Sequence, residues 1–158
     1  MASTLIAFMR ALLLLLIVSS ASADFEFYDK LDYALMRTKL SKLNSIFPDV
    51  VRVDTAENLF GIEYLVECED DEDCVLDIVS VTDHLTGPED KVQVYVSGCF
   101  NGAAQVGPHV AYYLIEYLAS NFNKDPYITY LLQHREIIVT PMTNAVGFYQ
   151  GRESEKTR

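Results

Sequence analysis

The stretch KVQVYVSGCFNGAAQVGPHV, residues 91–110, decides the fold of this chain. Apolar and polar side chains alternate after Lys91, the period-2 pattern of a β-strand, until Gly98 interrupts it. From Val106 the apolar residues recur at helical spacing, and Pro108 suits a first helical turn because its missing N–H needs no partner there. The residues between Gly98 and Val106 are therefore predicted to form a loop from a strand to a helix. Open α/β sheets keep their ligand and catalytic groups in such loops.

The rest of the chain predicts an alternation of helices and strands. Helices are predicted over 29–43, from 106 onward and over 125–133, and strands over 50–53, 61–66, 75–81, 92–97 and 136–140. Turn composition marks 54–59, 82–90 and 141–147. Because the last of these loops also follows a strand, it is expected to lie beside the loop after Gly98 if the two strands are parallel. The tail 150–158 is polar and aperiodic, which predicts disorder.

Two of these loops together resemble the carboxypeptidase A-like metallocarboxypeptidases, or funnelins. That family has H-G-x-E followed by V-G, where this chain has N-G-A-A over 101–104 and V-G over 106–107. Its later P-x-x-N-P-D-G-Y segment is similar to 141–148, with Ala145 and Val146 replacing Pro and Asp. The residues that match the family motifs are Gly102, Gly107, Asn144 and Gly147. The resemblance implies a three-layer α/β/α fold with a mixed sheet, of which this chain supplies the N-terminal half.

The resemblance also implies an activity, the removal of C-terminal residues from peptides by a zinc-bound water. The family's zinc is held by the His and Glu of H-G-x-E and by a later His, with an open position for water. Here the His position is Asn101 and the Glu position is Ala104. An amide oxygen is a poor zinc ligand and a methyl group is none. The resemblance therefore assigns no metal ligand and no catalytic residue here, and we expect the family's zinc not to bind this chain.

Three functions stay open at this point. The first is a secreted relative of the zinc carboxypeptidases that is catalytically incompetent. The second is an active metallocarboxypeptidase of which this chain is a fragment, because the family's remaining His, arginines and general-base Glu come after the segment matching 141–148. The third is a non-catalytic secreted module that binds basic peptides.

The N-terminus predicts a secretory signal peptide. Arg10 is followed by the apolar run 11–18 and by Ala21-Ser22-Ala23, a small-residue cleavage site. Cleavage after Ala23 leaves a partial peptidase-like domain over 24–149 and the polar tail 150–158. The apolar run is shorter than the roughly 20 residues that cross a bilayer, so no stable membrane anchor is expected after cleavage. The alternative is that the segment is retained as an anchor.

The cysteines agree with an oxidising compartment. Cys68 and Cys74 flank the acidic run 69–73 and are predicted to form a disulfide that closes a solvated hairpin tip. A calcium loop is the alternative for this run, but the spaced carboxylates and the turn glycine of such a loop are missing. Cys99 is predicted to be a buried, inert thiol, with a nucleophile as the alternative.

The formal net charge of −11 limits the classes of partner that are expected to bind this chain. An acidic surface repels phosphates and anionic lipids, which argues against nucleic acid and membrane headgroups and favours a peptide or protein, possibly basic. The three histidines, His84, His109 and His134, fall in a loop, in the first turn of one helix and at the end of another. A relocated metal site built from them is therefore not expected.

Overall fold

The computed structural model describes residues 30–63, 68, 74–87 and 90–153. Within them the elements follow in the order α1 (Tyr33–Ile46), β1 (Val51–Thr55), α2 (Ala56–Phe60), β2 (Asp77–Val81), β3 (Val92–Ser97), α3 (Val106–Asn121), α4 (Pro126–His134), β4 (Arg135–Thr140) and α5 (Ala145–Gln150). The strands form one mixed sheet in the order β1-β2-β4-β3. The β1–β2 and β2–β4 pairs are antiparallel, whereas β3 and β4 are parallel. The predicted α/β class is confirmed.

Side-chain caps set the starts of the helices. Helix α1 begins at Tyr33, later than predicted, because the Asp32 carboxylate accepts a hydrogen bond from the Leu35 N–H at 2.8 Å. Helix α4 begins where Asp125 and Pro126 predict it, since the Asp125 carboxylate accepts from two N–H groups of the first turn.

Two predicted loops contain short helices instead. Segment 54–59 was expected to be a turn, yet α2 starts there because the Thr55 hydroxyl accepts from the Asn58 N–H at 3.2 Å. Segment 141–147 remains a turn only as far as Asn144, whose side chain caps α5. The predicted strand 61–66 is not formed over 61–63, and its remainder lies outside the described residues. Also outside them are the signal peptide, the acidic run 69–73 and the end of the tail, 154–158.

The core lies on one face of the sheet. The strand register places Val51 opposite Val81, and Val79 opposite Val139, so these valines point to the same side. All four are fully buried, together with Leu40 of α1 and Ile115 of α3. Helices α1 and α3 contact each other and supply the apolar side chains that cover this face.

The other face of the sheet is polar. Glu136 of β4 lies between its two neighbouring strands, accepting from the Ser80 hydroxyl and from the Gln93 amide, each at 2.7 Å. These hydrogen bonds satisfy a carboxylate that is only 9% exposed. The alternation predicted for residues 92–97 thus separates an apolar face from a face of hydrogen-bonding groups.

Helix α3 is apolar on two sides. The side toward the sheet is buried and carries Ala111, Tyr112, Ile115, Leu118 and Ala119. Of the six residues that supplied the helical periodicity in the sequence, three are exposed, namely Val106 (74%), Val110 (60%) and Tyr117 (54%). Leu118 is buried, and Tyr113 and Leu114 are partly buried against the core. The periodicity therefore predicted the helix correctly, but only half of the residues that carried it contact the core.

An ion pair connects helix α1 to the sheet beside β1. The buried Asp77 carboxylate, at the start of β2 and opposite Thr55 of β1, accepts from the Arg37 guanidinium at 3.2 Å. Cys68 and Cys74 form the predicted disulfide.

Candidate site at the carboxyl ends of the parallel strands

The loops after β3 and β4 lie side by side, as predicted for a parallel pair. The Asn144 N–H donates to the Cys99 carbonyl at 2.8 Å, and the Gly98 N–H donates to the Thr140 carbonyl at 3.0 Å. The structure therefore joins the two segments that carry the family resemblance into one site.

The glycines of these loops allow backbones to touch. A Cβ atom at Gly107 would overlap the Gly98 carbonyl, where α3 leaves the end of β3. A Cβ atom at Gly102 would overlap the backbone of Gly147 in α5. Both positions require glycine for space, which gives these family-matching residues a packing role.

Asn144 also has a structural role. Its side-chain oxygen accepts from the Gly147 N–H at 2.7 Å and so caps α5. All four motif-matching residues, Gly102, Gly107, Asn144 and Gly147, therefore shape the loops without contributing a metal ligand.

The two positions where the family holds zinc are exposed but offer little to a metal. The Asn101 side-chain oxygen already accepts from the Ala103 N–H at 2.9 Å, and the Asn101 carbonyl accepts from the Ala104 N–H at 2.9 Å. Ala104 carries only a methyl group. A catalytic zinc site needs three protein ligands from imidazole, thiolate or carboxylate, so these residues do not fit the family's metal.

His109, the histidine nearest to this loop in sequence, has both ring nitrogens engaged. Nε2 accepts from the Leu31 N–H at 2.7 Å, so the ring proton is on Nδ1, which donates to the Gln105 carbonyl at 2.7 Å. A metal ligand needs a free lone pair, and the only one on this imidazole is used by Leu31. His109 therefore joins the segment before α1 to the loop and is not available as a ligand.

Cys99 is buried behind the loop. Cys99 is 1% exposed, and its thiol donates a hydrogen bond to the Asn101 carbonyl at 3.2 Å. Burial raises the pKa of the Cys99 thiol, which disfavours the nucleophilic thiolate. These contacts agree with an inert core cysteine.

The other two histidines lie away from the loop. Burial, followed by the charge of Arg52, lowers the pKa of the His84 ring. The His134 ring stacks on the Tyr130 ring, and its Nδ1 makes a hydrogen bond to the Tyr130 carbonyl. Over 30–63, 68, 74–87 and 90–153 there is no group of three or more His, Cys, Asp or Glu residues placed to hold a metal ion.

A chain of hydroxyl groups beside the loops was not predicted. Hydrogen bonds join the hydroxyl of Tyr95 to that of Thr140 at 2.8 Å, that of Thr140 to that of Thr143 at 2.7 Å, and that of Thr143 to that of Ser97 at 2.6 Å. Part of the signal was present in the sequence, because Tyr95 and Ser97 are alternate residues of one strand. Thr140, the last residue of β4, and Thr143, in the turn after it, become their neighbours only through the register of β3 and β4.

A mixed α/β domain with this paired-loop edge is the class of protein that the structure defines. The chain's fold is similar to that of thrombin-activatable fibrinolysis inhibitor, with a TM-score of 0.64 and 11% identity over 82% of this chain and 31% of that one. It is also similar to the carboxypeptidase A from Helicoverpa armigera, with a TM-score of 0.56 and 15% identity over 80% of this chain and 29% of that one. These likenesses show a carboxypeptidase A-like fold.

The sequence comparisons name the family. The zinc carboxypeptidase profile matches residues 69–158, and the chain belongs to that family. Carboxypeptidase D of Rattus norvegicus is 24% identical over 138 residues, which are 87% of this chain and 9% of that protein. The chain thus spans a small part of this relative and about a third of the solved structures. None of the helices within the described residues is long and apolar enough to cross a membrane.

Proposed function

We propose that this chain is a secreted, catalytically silent member of the zinc carboxypeptidase family, in which the zinc loop is kept as structure and not as a metal site. The observation that carries the proposal is the state of the two ligand positions. Asn101 uses its side-chain oxygen within the loop, and the side chain of Ala104 has no donor atom. The matching glycines and Asn144 keep the loop geometry, which explains how a family-like loop persists without its chemistry.

Metal content tests this proposal directly. Purified chain equilibrated with zinc and then dialysed is expected to hold far less than one zinc per chain by elemental analysis. One tightly bound zinc per chain would contradict the proposal and support the alternative of an active carboxypeptidase fragment.

A second experiment separates the metal from the reaction. The double substitution Asn101→His and Ala104→Glu restores two donors at the ligand positions, so we expect zinc affinity to rise. We expect no release of C-terminal residues from peptides, because no residue of this chain is assigned to the family's remaining ligand, substrate-binding and general-base roles. Peptidase activity of either the original or the substituted chain would contradict the proposal.

Secretion is the second part of the proposal. It is supported by the small-residue site at Ala21–Ala23 and by the Cys68–Cys74 disulfide, a bond typical of oxidising compartments. Expression in cultured animal cells is expected to release a chain into the medium whose first residue is Asp24. Retention of the uncleaved chain in the membrane fraction would contradict secretion.

Binding of a basic peptide without cleavage is a second candidate function. A cavity of about 370 Å³ beside Ala103 is lined by Asp32, Tyr33, Gln105 and Tyr149, with Lys30 at its wall. The chain's net charge of −11 attracts cationic partners. Calorimetry with a peptide ending in Lys, against the same peptide ending in Glu, is expected to show salt-sensitive binding of the former only. Equal binding of both, or of neither, would remove this candidate.

A further inference from the structure

His84 lies in the turn after β2, and both nitrogens of its ring are buried. Neither nitrogen has a hydrogen-bond partner among the described residues. Buried polar atoms of folded proteins nearly always have such a partner. A neutral imidazole leaves one donor and one acceptor unpaired here, whereas a protonated imidazole would leave two donors and a charge. The folded chain therefore accepts the neutral ring much better than the charged one.

Two cations near the ring reinforce this preference. Burial is the largest cause that lowers the pKa of the His84 ring, and the charge of Arg52 in β1 is the next. Lys91, just before β3, acts in the same direction. A proton added to this ring would therefore be repelled from two sides of the fold.

The carboxylates near the ring are already engaged. Glu136 of β4 and the Ser80 backbone favour the charged ring, but both Glu136 oxygens accept hydrogen bonds from other side chains. Asp83, beside His84 in the turn, accepts from the Leu85 N–H at 3.1 Å. No carboxylate within the described part of the chain thus forms a hydrogen bond with the His84 ring.

The backbone around His84 connects β2 to the segment before β1. The Thr82 N–H donates to the Val50 carbonyl at 3.0 Å, and the His84 N–H donates to the Asp49 carbonyl at 2.9 Å. Any displacement of the His84 backbone would therefore break a contact with the start of β1.

The same turn holds the end of helix α4. The Asp83 N–H donates to the Leu132 carbonyl at 2.9 Å, one of the last carbonyls of the helix, which have no partner within it. The Lys91 ammonium donates to this carbonyl at 3.1 Å, to the Asp83 carbonyl at 2.6 Å and to the Thr82 hydroxyl at 2.9 Å. Residues 82–84 are thus hydrogen-bonded to two other parts of the fold.

We propose that His84 is an acid-sensitive switch, in which protonation of its buried ring releases residues 82–84 from the start of β1 and from the end of α4. At neutral pH the ring is uncharged and the turn is closed. In acid the ring gains a proton, and a local opening that exposes the ring to water costs less than an unpaired charge buried near Arg52 and Lys91. This inference does not depend on the proposed loss of catalysis.

The direction of the pH dependence follows from the lowered pKa of the His84 ring. The opened turn restores the ordinary value of 6.5, so the open state binds the proton more tightly than the closed state. The stability of the closed turn is therefore complete above pH 6.5 and is lost as the pH falls from there through the lowered pKa. Histidine switches in proteins operate in this range.

Amide hydrogen exchange tests the inference. After correction for the intrinsic effect of pH on exchange, the amides of residues 82–84 are expected to lose protection several-fold between pH 7 and pH 5, while those of β4 keep theirs. His84→Leu removes the titrating group and is expected to show no such loss. The matched control His134→Leu, at an exposed histidine, is expected to show the loss in full. Unchanged protection in the original chain, or an equal loss in His84→Leu, would overturn the inference.

Nuclear magnetic resonance of the original chain tests the inference without relying on the folding of a variant. The His84 ring signals are expected to report a neutral imidazole below about pH 6.5, where a histidine in an unfolded peptide is half protonated. At still lower pH the ring signals and the amide signals of residues 82–84 are expected to shift together. Titration of the ring at about pH 6.5 with unchanged amide signals would overturn the switch.

Discussion

The two strands at the ends of the described sheet, β1 and β3, differ in their charges and in the segments that follow them. Strand β1 has charged side chains, a capped helix directly after it and a partly buried ion pair beside it. Strand β3 has uncharged and mostly exposed side chains, pairs with β4 along its length, and ends in a loop where the backbones of Gly98 and Gly107 touch. The β1 side of the sheet therefore has a charged edge followed by a capped helix. The β3 side has an uncharged strand followed by a tightly packed loop of the family type.

The largest expected effect is on the β3 side, at Gly107. Gly107→Ala places a methyl group on the Gly98 carbonyl, so either the strand end or α3 must move, and we expect a loss of about 3 kcal/mol in the free energy of unfolding. Gly61→Ala is the matched control on the β1 side. Gly61 has open space around it but a φ of 66°, so its cost should be only about 1 kcal/mol. Urea unfolding measures both, and equal costs would show that the backbone contact is not tight.

A smaller loss is expected from Arg37→Leu, which removes the ion pair beside β1. The Asp77 side chain is 4% exposed and would be left without this partner. Because the Arg37 side chain is itself 31% exposed, we expect about 2 kcal/mol, below the usual cost of breaking a fully buried pair. Arg52→Leu, at an exposed arginine of β1, serves as the control in the same unfolding measurement. A loss as large for Arg52 as for Arg37 would contradict a specific role of the pair.

The same pair predicts a pH dependence. Burial raises the pKa of the Asp77 carboxyl above its usual value of 3.8, although Arg37 acts in the opposite direction. The folded state thus binds this proton more tightly than the unfolded state, and the resulting stability is present below pH 3.8 and is lost as pH rises through the raised pKa.

Asp77→Asn removes this titration. The stability of the variant relative to the original chain should therefore improve as pH increases from about 3 to about 7 in denaturant unfolding. Asp49→Asn, at an exposed carboxylate, controls for the change in net charge. A relative stability of Asp77→Asn that falls over this pH range would contradict the raised pKa.

The smallest effect on stability is expected from removing the charges of β1. Arg52→Val with Asp54→Asn should change the free energy of unfolding by only about 0.5 kcal/mol, because Arg52 is exposed and an asparagine keeps the side-chain oxygen that accepts from Thr55 and Asn58. It should nevertheless leave the β1 edge without charge, so that sedimentation shows larger species than the original chain does. If the variant instead behaves as the original chain does, edge charge is not what distinguishes β1 from β3.

The elements whose signals are local were predictable from the sequence. The strand over 92–97 and the helix start at Asp125-Pro126 were predicted correctly, because alternation and capping act between near neighbours. Helices α2 and α5 were missed for the opposite reason. They are shorter than the windows in which periodicity is visible, and their caps, Thr55 and Asn144, lie in segments with turn composition.

The candidate site divides in the same way. The residue types at positions 101 and 104 are enough for the zinc argument, since no fold gives an alanine side chain a metal-binding atom. The engagement of the Asn101 amide, the use of both His109 nitrogens and the hydroxyl chain from Tyr95 to Ser97 depend on how the folded backbone brings these groups together.

The sequence alone gives the family resemblance, most of the order of helices and strands, and the lack of two metal-binding side chains. These depend only on residue identity and on periodicity between near neighbours. Which side of α3 is buried, which glycines are fixed by a touching backbone, and the order of the described strands in the sheet were settled by the tertiary structure. Those outcomes depend on the register between strands and on the exclusion of one backbone's volume by another, and neither acts between neighbours in sequence.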